Sequence, residues 1–295
     1  MGSSEPLRIA TRGSQQATTQ ALAVADQLIS AGNPAELVII DTHGDRTQAS
    51  EVPLHSIGGQ GVFTKEVQLA VLDGRADLAV HSAKDLPTVP TDGLVIGAFT
   101  QRRTAADALI GLRLSDLGFE ATIATGSVRR RAQLRRARPD LQFRELRGNI
   151  NTRLERIPEG GSIVMAVAAL EVLGLTDRIA EVLDPAEFVP AVGQGCVAVE
   201  CGDRNRKVLE ALSEIDHRET RYEVLIERAF MAELGSGCSL PIGAHVDGAK
   251  LFIFLADPDT GRIASDTIEL GGDFEEDLGR ARHAANVAHV HVTNS

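Results

Sequence analysis

Leu78-Ala79-Val80-His81-Ser82-Ala83-Lys84-Asp85-Leu86-Pro87 is an apolar run that stops at an ammonium and a carboxylate side by side. Residues 78–80 read as a buried strand and those after them as the loop at its carboxyl end, which is where open α/β sheets bind ligands. An Asp beside a Lys stays ionised near neutral pH, because a nearby opposite charge favours the charged form. Asp85 is thus equipped to face a developing cation. Structural ion pairs fit the same description, so the stretch alone leaves two readings open: a reacting carboxylate, or a capped and solvated loop.

Working outward, strands and helices alternate. Residues 7–10 form a short apolar strand, and Ser14 caps a helix whose Ala21, Leu22, Ala25, Leu28 and Ile29 share one face. Residues 37–40 are the next strand. After Gly58-Gly59-Gln60-Gly61, residues 63–72 read as a helix leading into 78–80, which is the βαβ logic of a parallel sheet. A second α/β unit follows, with strands at 121–124 and 163–167, extended chain at 141–146, and helices opened by Ser127 and by Gly148-Asn149. Each unit ends a strand in a small polar turn at a helix N-terminus, Thr11-Arg12-Gly13-Ser14 in one and Thr125-Gly126-Ser127 in the other. Free backbone N–H groups there favour anions.

The expected fold class is therefore α/β: two periplasmic-binding-protein-like α/β domains around a cleft, of the kind that closes by hinge motion, plus a small C-terminal α+β domain. The crossings fall near 101–104 and 190–195, and residues 197–200 return as a strand to the first domain. Domain 1 is then 1–101 with 196–217, domain 2 is 102–195, and domain 3 is 218–295. In domain 3 a helix over about 219–234 precedes Gly235-Ser236-Gly237-Cys238-Ser239-Leu240-Pro241-Ile242-Gly243, strands at 251–256 and 263–270, and a helix near 274–285.

Composition narrows the function. With 43% hydrophobic and 24% charged residues over 295 positions, the chain reads as a folded protein of two or three domains. No apolar run approaches a membrane span and the first residues lack a basic region before an apolar stretch, so the expected location is cytoplasmic, with no membrane partner. Pro6 also stands where a lipid anchor beginning Met1-Gly2 needs Ser or Thr. Net charge is −11, yet residues 127–156 hold Arg129, Arg130, Arg131, Arg135, Arg136, Arg138, Arg144, Arg147, Arg153 and Arg156 against Asp140, Glu145 and Glu155. Single-strand nucleic-acid binders want stacking aromatics, and the chain is 3% aromatic without Trp. A small polycarboxylate gripped by arginine forks fits better than nucleic acid. Arg135, Arg136 and Arg138 read as a solvated helix face. Cys196, Cys201 and Cys238 form neither a disulfide framework nor a zinc site, and His289 with His291, two apart in an expected strand, lack a third metal ligand. No metal is expected. A lone Cys is usually a small buried hydrophobe, but the glycines before Cys238 leave its thiol approachable, so a covalent role stays open beside that reading.

These motifs carry a family resemblance. Arg8-Ile9-Ala10-Thr11-Arg12-Gly13-Ser14, Gly58-Gly59-Gln60-Gly61-Val62-Phe63-Thr64-Lys65-Glu66, Val80-His81-Ser82-Ala83-Lys84-Asp85-Leu86-Pro87, Leu146-Arg147-Gly148-Asn149-Ile150-Asn151-Thr152-Arg153-Leu154, Pro190-Ala191-Val192-Gly193-Gln194-Gly195 and Gly237-Cys238-Ser239-Leu240-Pro241-Ile242-Gly243 stand in the order seen in porphobilinogen deaminases, also called hydroxymethylbilane synthases, which the chain resembles over residues 7–246. The resemblance implies a transferase of tetrapyrrole (haem) biosynthesis. It implies that Cys238 carries a covalent dipyrromethane cofactor through a thioether, and that four porphobilinogen molecules condense in steps, with loss of ammonia, into hydroxymethylbilane. Asp85 then stabilises the azafulvenium cation left when the amine departs, accepts hydrogen bonds from pyrrole N–H groups and shuttles protons. Arg12, Arg129, Arg130, Arg147 and Arg153 bind the acetate and propionate groups, with Ser14, Ser82, Lys84, Thr125 and Ser127 as shorter donors and Gln194 alongside. A monomer is implied, with hand-over of product to a uroporphyrinogen III synthase.

Several positions depart from the family pattern. Ala168-Ala169-Leu170-Glu171-Val172 lacks a cation at Val172, Ser56 and Gln60 replace frequent lysines, and Arg102-Arg103-Thr104-Ala105-Ala106-Asp107 keeps only its first and last motif residues. Activity with altered affinity is expected. The alternatives are a catalytically degenerate homologue and a two-domain binding module for an acidic small molecule. A dinucleotide enzyme is a weaker alternative still, because Gly58-Gly59-Gln60-Gly61 lacks the fingerprint spacing and no phosphate-loop lysine motif occurs; those glycines better suit a mobile loop.

Overall fold

The computed structural model describes residues 5–42, 64–235 and 240–293. The described residues divide into two compact units, 5–42, 64–103 and 196–221 in one, and 104–195, 222–235 and 240–293 in the other. The first opens with β1 (Leu7–Arg12), α1 (Gln15–Ser30), β2 (Ala35–Ile40), α2 (Lys65–Leu72), β3 (Leu78–Ser82) and β4 (Leu94–Phe99). The second follows with β5 (Asp107–Gly111), β6 (Thr122–Ala124), α3 (Val128–Ala137), β7 (Gln142–Arg144), α4 (Ile150–Leu154), β8 (Ser162–Ala166), α5 (Val167–Val172) and β9 (Glu181–Val182). Then come β10 (Val197–Gly202), α6 (Arg206–Ser213), α7 (Arg218–Glu233), β11 (Ile242–Asp247), β12 (Lys250–Ala256), β13 (Ile263–Glu269) and α8 (Phe274–Thr293).

The first unit is built on a five-stranded sheet ordered β2-β1-β3-β10-β4. As expected, the chain returns to it: β10 pairs antiparallel with both β3 and β4. Alternation along each strand sends Ile9, Leu78 and Val80 against α1 and α6, and Ala10 and Ala79 against Val67 and Ala70 of α2. A side chain at Gly97 would meet Leu212 Cδ1 at 2.5 Å, so this glycine lets α6 lie directly on β4.

The second unit repeats the plan in the order β7-β6-β8-β5-β9. Leu109, Ile123 and Val164 face α3 through Leu134, while Ile110, Ala124 and Ile163 face α4 and α5 through Ile150 and Leu170. Its C-terminal part is the antiparallel meander β11-β12-β13. One face buries Val246, Leu251 and Ile253 under Ile226 and Phe230 of α7 and Ala281, Ala285 and Ala288 of α8. The other packs Phe254 against Val189 and Ala132. Phe254 is fully buried, and its truncation to Ala is expected to cost about 3–5 kcal/mol. The α/β class and the small C-terminal α+β layer agree with the sequence reading. The expected strand around His289 and His291 is not formed; both lie in α8, whose buried Ala281, Ala284, Ala285, Ala288 and Val292 set a helical period. Among the described residues no helix is long and apolar enough to cross a membrane.

Candidate active site

β1, β2 and β3 run parallel, so their carboxyl ends lie at one edge of the first sheet and place Arg12 and the residues from Ser82 onward there. Ser14 caps α1 by accepting from the Ala17 backbone N–H at 3.3 Å. Ser82 donates its hydroxyl to Gln20 Oε1 at 3.1 Å. Residues Ala83–Asp85 make a single 3-10 turn, pinned to the start of β10 by the Ala83 N–H on the Cys196 carbonyl at 2.9 Å. Asp85 is half-buried, and among the described residues its carboxylate has neither hydrogen bond nor ion pair. The expected Lys84–Asp85 pairing is therefore corrected: consecutive side chains of a 3-10 turn point about a third of a turn apart, and Lys84 makes contacts of its own. Directly behind the turn, His81 Nε2 lies 3.1 Å from Glu200 Oε2 without making a hydrogen bond among the described residues, and Glu200 Oε2 accepts from Gln68 Nε2 at 2.8 Å, all of it buried.

In the second unit β7, β6 and β8 are parallel, and the turns after β6 and β7 touch: a Cβ on Gly126 would sit 3.1 Å from the Leu146 carbonyl. Thr125 Oγ1 accepts from the Ser127 N–H at 3.2 Å, and Ser127 Oγ caps α3 by accepting from the Arg130 N–H at 3.3 Å. A hydroxyl that accepts in this way keeps its own O–H to donate. Arg147 is half-buried, and its Nη2 is buried with no hydrogen-bond partner among the described residues. Leaving such a donor unsatisfied costs about 1–3 kcal/mol or more for a charged group, which marks it as a place for an anion. Next to it, Gly148 at φ 109° takes a conformation that suits glycine, and its carbonyl accepts from Arg153 Nε at 2.8 Å.

Three other expected site residues, Arg129, Arg130 and Gln194, are assembled around Asp107, a residue noted in the sequence only as part of a motif. Arg129 Nη2 reaches Asp107 Oδ2 at 2.7 Å, Arg130 Nη2 reaches Oδ1 at 2.6 Å, and Gln194 Nε2 donates to Oδ1 at 2.8 Å. Arg129 also donates to the Val189 carbonyl at 2.6 Å, and Gln194 to that of Ala105 at 2.7 Å. Burial opposes ionisation of Asp107, but the charges of Arg129 and Arg130 and the hydrogen bonds from Arg130 and Gln194 outweigh it and hold the carboxyl well below the usual range. Arg138 is not the solvated residue expected of it. It pairs with Asp140 at 2.7 Å and donates to the Leu114 carbonyl at 3.0 Å, and its hydrogen bond lowers the Asp140 pKa to about 2. Arg135 and Arg136 are exposed but lie over the Phe143 and Phe254 rings, at 5.3 and 5.7 Å. Two departures noted in the sequence meet: Thr104 Oγ1 donates to Glu171 Oε1 at 2.5 Å. Cys238, Ser56 and the glycine-rich stretch at 58–61 lie outside the described residues.

Comparison with known proteins adds the family. The model of "porphobilinogen deaminase, dipyromethane cofactor binding domain" matches residues 7–210, and that of "porphobilinogen deaminase, C-terminal domain" matches residues 221–281. The chain is 42% identical to a porphobilinogen deaminase of Synechococcus sp. over 92% of this chain and 90% of that one. It is 45% identical to the one from Mycobacterium marinum (81% and 76% covered) and 46% identical to the one from Nocardia farcinica (88% and 74% covered). Among solved structures, apo YehZ from Escherichia coli aligns with 78% of this chain and 94% of its own at 10% identity and a TM-score of 0.42.

Proposed function

The chain belongs to the porphobilinogen deaminase family, and from that premise we propose that it condenses four porphobilinogen molecules into hydroxymethylbilane with loss of four ammonia, with Asp85 as the catalytic carboxylate. It is a transferase of tetrapyrrole biosynthesis with a dipyrromethane cofactor. When bound, that cofactor supplies the pyrrole carbon to which the first substrate unit is joined.

The observation that carries the reading is the half-buried Asp85 carboxylate, which no described residue neutralises or hydrogen-bonds. A carboxylate left bare at a strand end is suited to a partner that arrives with substrate. Pyrrole N–H groups need such an acceptor, and the cation formed as ammonia leaves needs a fixed negative charge that contributes only along the reaction path. The same group takes the proton released when each new carbon–carbon bond rearomatises its ring. The residues also fit the cofactor's acetate and propionate groups, since Arg147 Nη2 is a buried cationic donor with no acceptor among the described residues. Arg12, Arg153 and Lys84 add positive charge, the hydroxyls of Ser14, Thr125 and Ser127 add short donors, and Ser82 joins them when its O–H turns from Gln20 Oε1 to the ligand. Arg129, Arg130 and Gln194 serve by holding Asp107 and with it the shape of this edge of the sheet. Cys238 bears the thioether. We place the enzyme in the cytoplasm as a monomer handing product to a uroporphyrinogen III synthase, with domains 1–101 with 196–217, 102–195 and 218–295.

Ammonia release tests the reading. One ammonia per porphobilinogen consumed, with a product that closes spontaneously to a porphyrinogen, is expected. Porphobilinogen that survives incubation with folded, cofactor-bearing protein would overturn it.

A further inference from the structure

We infer that Glu227 is a positioning residue that aligns the C-terminal meander with the Asp107 centre, so that covalent loading of dipyrromethane depends on it; this rests on the deaminase reading above. Glu227 lies on α7 and is fully buried. Its two carboxylate oxygens serve two separate segments: Oε2 accepts from the Gly193 N–H at 2.7 Å, and Oε1 from the Val246 N–H of β11 at 2.9 Å, with His245 Nδ1 3.4 Å from Oε1.

Gly193 is followed by Gln194, whose amide holds Asp107 and the Ala105 carbonyl. A continuous hydrogen-bonded path thus runs from β5, beneath the arginine helix, through 193–194 and Glu227 to β11. A second seam runs beside it. The Val189 carbonyl accepts from Arg129 and from Gln133, at 2.6 and 3.0 Å, and the Pro190 carbonyl accepts from the Ala244 N–H at 3.1 Å. Gly243 makes that approach possible, because a Cβ there would stand 2.8 Å from the Val189 carbonyl.

α7 and β11 are the elements on either side of the stretch that contains Cys238. Removing a carboxylate from water costs several kcal/mol, and apolar side chains often fill such a space with equal or better stability. What a carboxylate supplies that they do not is simultaneous acceptance from two N–H groups at fixed positions. Substitution by Gln keeps the volume but sets an NH₂ donor against one of two backbone donors, so it perturbs alignment while leaving the packing.

The test uses full-length apoprotein, made in a host without porphobilinogen, incubated with porphobilinogen and followed by intact mass. Glu227→Gln is expected to load dipyrromethane on the order of tenfold more slowly per folded chain, a part of the roughly hundredfold that a misplacement of about 1 Å can cost. Alkylation of Cys238 by iodoacetamide should stay at the wild-type rate, separating alignment from thiol access. Gly243→Ala, which disturbs the same joint from the other side, should also slow loading and decides the matter if Glu227→Gln does not fold. Loading at the wild-type rate in a folded variant, even with a lowered thermal midpoint, would reduce Glu227 to a structural role and overturn the inference. A wild-type chain that acquires no adduct would instead sink the deaminase reading, and this inference with it.

Discussion

Asp107 and Asp85 have opposite surroundings. Asp107 is 1% exposed and neutralised by Arg129 and Arg130, with Gln194 completing its shell. Asp85 is half-buried with no partner among the described residues. The same contrast divides the arginine block: Arg129 and Arg130 are spent on Asp107, while Arg147 keeps a buried Nη2 with no hydrogen-bond partner among the described residues. Charges satisfied within the chain hold the fold, and those left unsatisfied are available to substrate. Loss of the first kind should therefore appear in stability, and loss of the second in turnover.

The largest effect is expected at the bare carboxylate. Asp85→Ala should lower kcat by at least on the order of a thousandfold with an unchanged denaturation midpoint; near-normal product formation would remove the carboxylate from the mechanism. At the satisfied centre, Asp107→Ala should cost about 3–5 kcal/mol in chemical denaturation, since it strands the buried Arg129 charge. Because the folded pKa of Asp107 is depressed, its contribution is fully present above the unfolded value of about 4 and is lost as pH falls through the folded one. Asp107→Asn should accordingly flatten the loss of stability below that pH, and an unaltered acid transition would contradict the assigned pairing.

The two arginines sharpen the contrast further. Arg129→Gln should destabilise the protein, whereas Arg147→Gln should leave the midpoint in place or raise it, while weakening substrate binding by roughly tenfold, the worth of one charge-assisted hydrogen bond. Equal losses of stability in both variants would erase the distinction. The smallest effect is expected at Val172→Arg, where a cation restored at a half-buried position should lower KM by about twofold to fivefold, within the range of a partly exposed ion pair.

Much of this was legible in the sequence. The alternation of apolar runs with capped helices places β1, α1, β3 and α3, and the apolar 197–200 stretch identifies β10 as the returning strand. The C-terminal end was misleading for a physical reason. Val287-Ala288-His289-Val290-His291-Val292 alternates like a strand, but Val287 and Val290 are exposed, and the longer helical period of buried alanines prevails. The short β5 and β9 gain their register from partners distant in sequence, so no local pattern marks them. The Asp107 centre was hidden for the same reason: its bonds to Arg130 and Gln194 span 23 and 87 residues. The His81–Glu200–Gln68 contact, whose Gln68 and Glu200 stand 132 positions apart, was equally out of reach. Asp85 could be singled out because the strand-end stretch that carries it is local, whereas Arg147 was named through the family resemblance and the sequence did not separate it from Arg129 and Arg130, whose bonds to Asp107 are long-range.

The most direct test of the account is intact mass spectrometry of the purified protein before and after addition of porphobilinogen. A mass excess of two pyrrole units, absent in Cys238→Ser and followed by stepwise gains of one pyrrole unit as substrate is added, is the predicted result. A bare polypeptide mass that never changes in a folded preparation would contradict it.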